Sequence, residues 1–149
     1  MPAYWTAHRD FLSPEPPIDL DQPSWAVRTR GGRHSAARVL DGAVVEGSLV
    51  SGGTRVAGEV RGCVLSPGVV VEPGATVVDS VLLHGVRVRA GATVTCAVLD
   101  DGVEVGRGAT VGGGGDDPDA IALVGHGVAV PEGGQVPPGG RLPEPDQDR

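Results

Sequence analysis

Apolar residues in the middle of the chain recur in steps of six. Leu65, Val71 and Val77 are answered by Leu82, Val88 and Val94, and then by Leu99, Val105 and Val111. Within each set the steps are 6 and 6, with 5 to the next set, so the frame repeats every 17 residues. The string Gly-Ala-Thr-Val, at 74–77, 91–94 and 108–111, keeps the same spacing. A second column lies two residues earlier, made of Val69, Val86 and Val103 and of the small residues Ala75, Ala92 and Ala109. Residues two apart on a strand share a face, so both columns point inward together. Glycines 68, 85 and 102, and 74, 91 and 108, fall at the intervening corners, where a positive φ or a close backbone approach favours a residue without Cβ. Three short strands and three corners per set predict a triangular prism of parallel strands, its coils stacked at about 4.8 Å. Residues 64–111 supply three such coils, and each hydrogen-bonds to its neighbours, so stability is a sum of nearest-neighbour terms.

The pattern extends less regularly in both directions. Upstream, Leu49, Thr54 or Val56, and Val60 predict a shortened coil, and Val39 to Val45 start another. Downstream, the Gly- and Asp-rich run from Gly112 to Ala120 predicts a loop, after which Val124, Val130, Val136 and Leu142 resume the step of six. Val111 and Val124 are 13 positions apart where 5 would continue the coil, so eight residues are inserted. The expected organisation is a connector over 1–37, a β-helix over 38–142 with an inserted loop at 112–120, and a disordered tail over 143–149.

Composition separates the connector from the rest. The aromatic residues, Tyr4, Trp5, Phe11 and Trp25, all lie in the first 25 positions, so the core beyond them is built from Val, Leu, Ile and Ala. A compact two-layer domain would bury several aromatics, whereas a narrow solenoid has no room for them. The chain carries 12 basic residues, all of them arginine. Schiff-base chemistry and a lysine phosphate clamp are therefore excluded within it. A formal charge of −7 argues against nucleic acid or an anionic membrane as partner. No apolar run approaches the roughly 18 residues of a membrane span, and no signal peptide is visible, so a cytoplasmic location is expected.

Few residues invite chemistry. His84 shares its corner position with Pro67 and Asp101 in adjacent coils, and His126 holds the matching corner of the last coil. A corner that accepts Pro, Asp and His reads as solvated. Cys63 and Cys96 fall in adjacent columns two coils apart, about 9.6 Å by strand spacing and beyond disulfide reach. Cys63, in column with Ser80 and Ala97, reads as a small inward filler, and both cysteines are expected to be reduced. Gly112 to Gly115 are followed by Asp116 and Asp117, which would repel a phosphate, so an inserted surface loop is expected there. Arg28, Arg30, Arg33, His34 and Arg38 form the basic cluster. It reads either as a solvated linker or as a docking place for an anion. No metal site is expected in the chain.

A six-residue side with an inward aliphatic and a small residue resembles the hexapeptide-repeat proteins, which implies an all-β, left-handed parallel β-helix. Some of those proteins are acyltransferases with a catalytic histidine, working as trimers with coenzyme A between subunits; the corner placement of His84 and His126 disfavours that reading. More specific strings follow. Tyr4 to Leu12, Pro17-Ile18-Asp19-Leu20 and Trp25-Ala26-Val27-Arg28-Thr29 resemble the connector after the catalytic domain of bacterial glucose-1-phosphate adenylyltransferase (ADP-glucose pyrophosphorylase). Gly47-Ser48-Leu49-Val50-Ser51-Gly52-Gly53 and Cys63 to Val69 are similar to the opening of that family's C-terminal β-helix. The resemblance is carried by residues 4 to 111. A sibling family, mannose-1-phosphate guanylyltransferase, also ends in hexapeptide repeats, and the Ser-Leu-Val-Ser-Gly-Gly string favours the adenylyltransferase.

The resemblance implies a module that packs against a catalytic domain, in cis or in trans, contributes to a homo-oligomer and helps form a site for an anionic effector. By it, Ser51, Gly52 and Gly53 lie nearest that effector, through backbone amides in a nest; the alternative is that the glycines only turn a corner. The family's nucleotidyltransferase domain, with its Gly-rich loop and its Mg²⁺ and ATP sites, has no counterpart in this sequence. No cofactor is therefore expected on the chain itself. It is expected not to be competent alone, whether as a split subunit, a mis-started fragment or a remnant without function.

Overall fold

The computed structural model describes residues 2–25, 32–115 and 117–143. The valine columns fold as their spacing requires, into three parallel sheets of six strands each. The first sheet stacks Arg38–Val39, Arg55–Val56, Val70–Val71, Arg87–Val88, Glu104–Val105 and Ala129–Val130. The second stacks Val44–Glu46, Glu59–Arg61, Thr76–Val78, Thr93–Thr95, Thr110–Gly112 and Gln135–Val136. The third stacks Leu49–Val50, Val64–Leu65, Val81–Leu82, Ala97–Leu99, Ala122–Val124 and Arg141–Leu142. The chain visits one strand of each sheet per coil, which makes a β-solenoid of six coils. Among the described residues no helix is long and apolar enough to cross a membrane.

Register pins the interior. Leu65 pairs with Leu82 and Leu82 with Leu99, while Val71, Val88 and Val105 form one further column and Val77, Val94 and Val111 another. All these side chains are buried, as are Val69, Val86 and Val103 and the three alanines beside them. The corner glycines of both columns have positive φ, from 64° to 78°, a region that costs an L residue with a Cβ. Past the insertion Val124 pairs with Leu99, Val130 with Val105 and Val136 with Val111, and Leu142 pairs with Val124.

Two details of the shortened coil differ from the expectation. Val50, not Leu49, lies in register with Leu65; Leu49 pairs with Val64 and is exposed. Thr54 and Val56 are both inward and buried, Val56 in register with Val71. Here the step from Val56 to Val60 is four residues, and the tightened corner needs Gly58, where a Cβ would stand 2.8 Å from the Glu72 carbonyl oxygen. At the first coil the prism is open: Val39 pairs with buried Val56 yet is 56% exposed, because among the described residues no coil covers it.

A second, smaller core lies outside the prism. The helix Pro2–Asp10 sets Trp5 (5% exposed) against Val81, Cys96, Val98 and Ile121. Ile121 follows a 3₁₀ turn, Pro118–Ala120, in which the Asp117 side chain accepts from the Asp119 amide. So the inserted loop folds back to meet the helix. The aromatic connector thus packs on this chain itself at Trp5, because the flat outer face of the third sheet carries valines that the indole can cover. Tyr4, Ile18, Leu20 and Trp25 remain exposed. Arg28 and Arg30, Asp116 and all but the first residue of the 143–149 tail lie outside the described residues.

Candidate functional site

The Ser51–Gly53 turn links the third sheet to the first. Its Ser51 amide donates to the Leu65 carbonyl and its Gly53 amide to the Ser35 carbonyl. Gly53 has a φ of 75°, so corner geometry alone accounts for that glycine. Residues 34–35 lie across the turn: a Cβ on Gly52 would stand 3.1 Å from the Ser35 carbonyl oxygen and 3.2 Å from the His34 Cβ. Two amides of the expected nest are thus already bonded to protein carbonyls. The cationic groups lie beside the turn on the first sheet, where Arg38 and Arg55 pair directly across neighbouring strands and are both exposed.

Elsewhere on the prism, arginines alternate with carboxylates. Arg89 donates from Nη1 to Glu72 and from Nε to Glu104, each at 2.9 Å. This holds the Glu72 carboxyl below its ordinary range, with the Arg89 hydrogen bond the main cause and the Ala90 amide assisting. Arg61 bridges Glu59 and Glu46 in the same manner. These rungs stitch successive coils together.

The helix is fixed by one residue that the sequence reading did not single out. The Trp5 indole Nε1 donates to the Asp79 carbonyl oxygen at 2.8 Å, and Arg9 donates to the Asp79 carboxylate at 2.7 Å. The Arg9 guanidinium lies 4.5 Å from the Trp5 ring centroid, a cation–π contact. Asp79 has a φ of 48° and Cys96, one coil on, a φ of 49°. Both occupy the corner where Gly47 and Gly62 stand in earlier coils with φ of 53° and 61°. A signal existed: a non-glycine residue in a glycine column of the repeat.

Next to the helix, Tyr4, Leu83, Val98, Leu123 and Leu142 line an open, mainly apolar cleft of about 400 Å³, with Asp100 and Arg141 at its margin. Cys63 and Cys96 are both buried and neither is in a disulfide. Cys63 is the inward filler expected of it; burial pushes its thiol up to about 12, which makes it a poor nucleophile. Cys96 sits under the helix instead.

His84 occupies the solvated corner expected of it, with its side chain 63% exposed and its Nδ1 3.5 Å from an Asp101 carboxylate oxygen. That oxygen also accepts from the His84 amide at 2.9 Å. His126 stacks on the same corner, and its imidazole, Asp100 and Asp101 bring one ligand atom each within 4.8 Å of one another. The repeat placed His84, Asp101 and His126 on one edge, but neither Asp100 nor a donor set was read from it.

Comparison with known proteins agrees with this architecture. Residues 33–130 match the family model described as GlmU-like, C-terminal hexapeptide. The glucose-1-phosphate adenylyltransferase of Streptomyces avermitilis is 43% identical over 80 residues, covering 54% of this chain and 20% of that enzyme. The enzymes of the same name from Streptomyces coelicolor and Corynebacterium glutamicum are each 40% identical over 80 and 83 residues, with the same coverage. The chain thus spans about a fifth of the length of the curated relatives it matches. With the hexapeptide model covering most of the solenoid, the chain belongs to the GlmU-like C-terminal hexapeptide family.

Proposed function

We propose that the chain is the assembly and regulatory β-helix of a glucose-1-phosphate adenylyltransferase, the enzyme that converts glucose 1-phosphate and ATP into ADP-glucose and pyrophosphate. The observation that carries this reading is the 43% identity over 80 residues to the Streptomyces avermitilis enzyme of that name. The nucleotidyltransferase domain that partners it, in cis or in trans, meets the apolar surface left around the helix, namely Tyr4, Leu83, Leu123 and the exposed Ile18, Leu20 and Trp25. Mg²⁺ and ATP belong to that domain, and no residue of this chain is assigned to them. An anionic effector is met at the Ser51–Gly53 corner by His34, Arg38 and Arg55 side chains more than by backbone amides, since two of those amides are committed. The chain acts in the cytoplasm and within a homo-oligomer.

The test is co-expression with a tagged nucleotidyltransferase domain from the Streptomyces avermitilis enzyme, followed by tag capture and sedimentation. Stable co-purification that is lost on Leu123→Asp supports the proposal. Independent sedimentation of the two chains contradicts it.

A further inference from the structure

The corner after the third sheet carries a donor set that the functional reading leaves unused. Asp100 and Asp101 follow the strand Ala97–Leu99, and His126 follows its stacked partner Ala122–Val124. One ligand atom from each lies within 4.8 Å of the other two. His84, one coil earlier, reaches the Asp101 carboxylate at 3.5 Å from the opposite side. The edge therefore stacks imidazole, carboxylate pair and imidazole over three coils.

Charge bookkeeping distinguishes this edge from its surroundings. Two other carboxylate pairs of the prism, Glu46 with Glu59 and Glu72 with Glu104, each close on a shared arginine. Among the described ion pairs, Asp101 meets only the imidazole of His84 and Asp100 meets no cation. Two adjacent carboxylates on a chain of net charge −7, facing imidazoles rather than guanidinium groups, lack a countercharge. A divalent ion would supply it.

We infer that Asp100, Asp101 and His126, with His84 as an outer partner, form a binding site for a divalent transition ion of the zinc class. Imidazole with carboxylate selects Zn²⁺, Co²⁺ or Ni²⁺ over Mg²⁺ and Ca²⁺, which prefer oxygen alone. Donors around a four-coordinate ion at about 2.1 Å lie about 3.4 Å from one another, so the set closes by about 1.4 Å at most on binding. His126 is exposed and both aspartates are only half-buried, so rotamer changes supply that movement and water completes the shell. His84 then donates an imidazole N–H to Asp101, as hydrogen-bond partners do at a metal-bound carboxylate.

Position gives the ion a structural task. The coil that contributes His126 is the one interrupted by the eight-residue insertion between Val111 and Val124. An ion held by Asp100 and Asp101 on one side and His126 on the other staples that coil to the last uninterrupted one. Ligand that binds only the folded chain raises stability by RT ln(1 + [L]/Kd).

The test uses the full chain, freed of its affinity tag and stripped with EDTA, titrated calorimetrically with Zn²⁺, with Co²⁺ absorbance as a second readout. Expected are one ion per chain, a rise in Tm with added Zn²⁺, and affinity at least tenfold weaker in Asp101→Asn and His126→Ala, with a smaller loss in His84→Ala. The double variant Cys63→Ser/Cys96→Ser retains wild-type affinity. Circular dichroism of the apo variants, which should match wild type, keeps misfolding from passing as loss of a ligand. If Zn²⁺ fails to bind, or binds equally to Asp101→Asn and His126→Ala, or raises Tm equally in those variants, the inference is overturned.

Discussion

Replacing Leu82 by alanine measures how strongly the middle of the prism depends on its columns. Leu82 is fully buried, in register between Leu65 and Leu99. The substitution removes three carbons, about 2.4 kcal/mol at about 0.8 kcal/mol per buried methylene. Hydrogen bonds to coils on both sides hold the backbone at strand spacing, so the gap cannot close. A residual cavity of about 50 Å³ adds about 1 kcal/mol at about 24 cal/mol per Å³. Leu82→Ala is therefore expected to cost about 3–4 kcal/mol. Leu142 occupies the same column but is only half-buried and has one stacked neighbour, Val124. For Leu142→Ala half the transfer term and no cavity remain, about 1 kcal/mol. Urea unfolding followed by far-UV circular dichroism gives both values from the midpoints at a shared slope. A cost below about 1 kcal/mol for Leu82→Ala, or equal costs at the two sites, would refute a core built of stacked columns with nearest-neighbour coupling.

Three further outcomes follow from particular contacts. In a Trp25→Phe background, emission from Trp5 is blue-shifted and shielded from acrylamide, and Asp79→Ala makes it red and quenchable, because the indole and Arg9 both anchor on Asp79; unchanged quenching would remove the helix from the solenoid. The Glu72 carboxyl is held below its ordinary value of 4.5, so its contribution is fully present above that pH and fades as pH falls through the folded value. The stability gap between wild type and Arg89→Gln, read from urea midpoints, should thus narrow from pH 7 to pH 3, and a constant gap would contradict the linkage. Deleting residues 113–120 places Ile121 in the corner that Asp79 and Cys96 occupy at φ near 48°, where a β-branched side chain is strained; the deletion should fold well only with Ile121→Gly, as thermal melts of the two variants will report.

What the sequence disclosed was whatever repeats. Columns such as Leu65–Leu82–Leu99 obey one period, so their burial and register were legible without coordinates, as was the size of the insertion. Errors came where the period changes. The coil around Val56 to Val60 is two residues short, and there Leu49 and Val50 exchanged faces, since a slip of one residue inverts a strand. The docking of Trp5 was not legible, because it joins residues far apart in sequence through the outer face of a sheet, and outward valines such as Val81 and Val98 look like ordinary strand filler. Asp79 was visible as an intruder in a glycine column, but only a helix docked above it gives that intrusion a meaning. The Ser51–Gly53 corner came from resemblance, and neither its spacing nor its glycines distinguish a ligand nest from a turn. The resumed register after eight extra residues put Asp101 and His126 at one corner, but the approach of their side chains and of Asp100 to one another depends on rotamers that the repeat does not specify.

The central claim is that this β-helix serves a nucleotidyltransferase. Its most direct test is a chimera of the Streptomyces avermitilis glucose-1-phosphate adenylyltransferase in which the matching 80-residue segment is replaced by the aligned segment of this chain. The measurement is the rate of ADP-glucose formation beside the parent enzyme and a version truncated before the segment. The account predicts that truncation impairs the enzyme and that the chimera restores at least half of the parent rate. A chimera no more active than the truncated enzyme, though folded by circular dichroism, would contradict it.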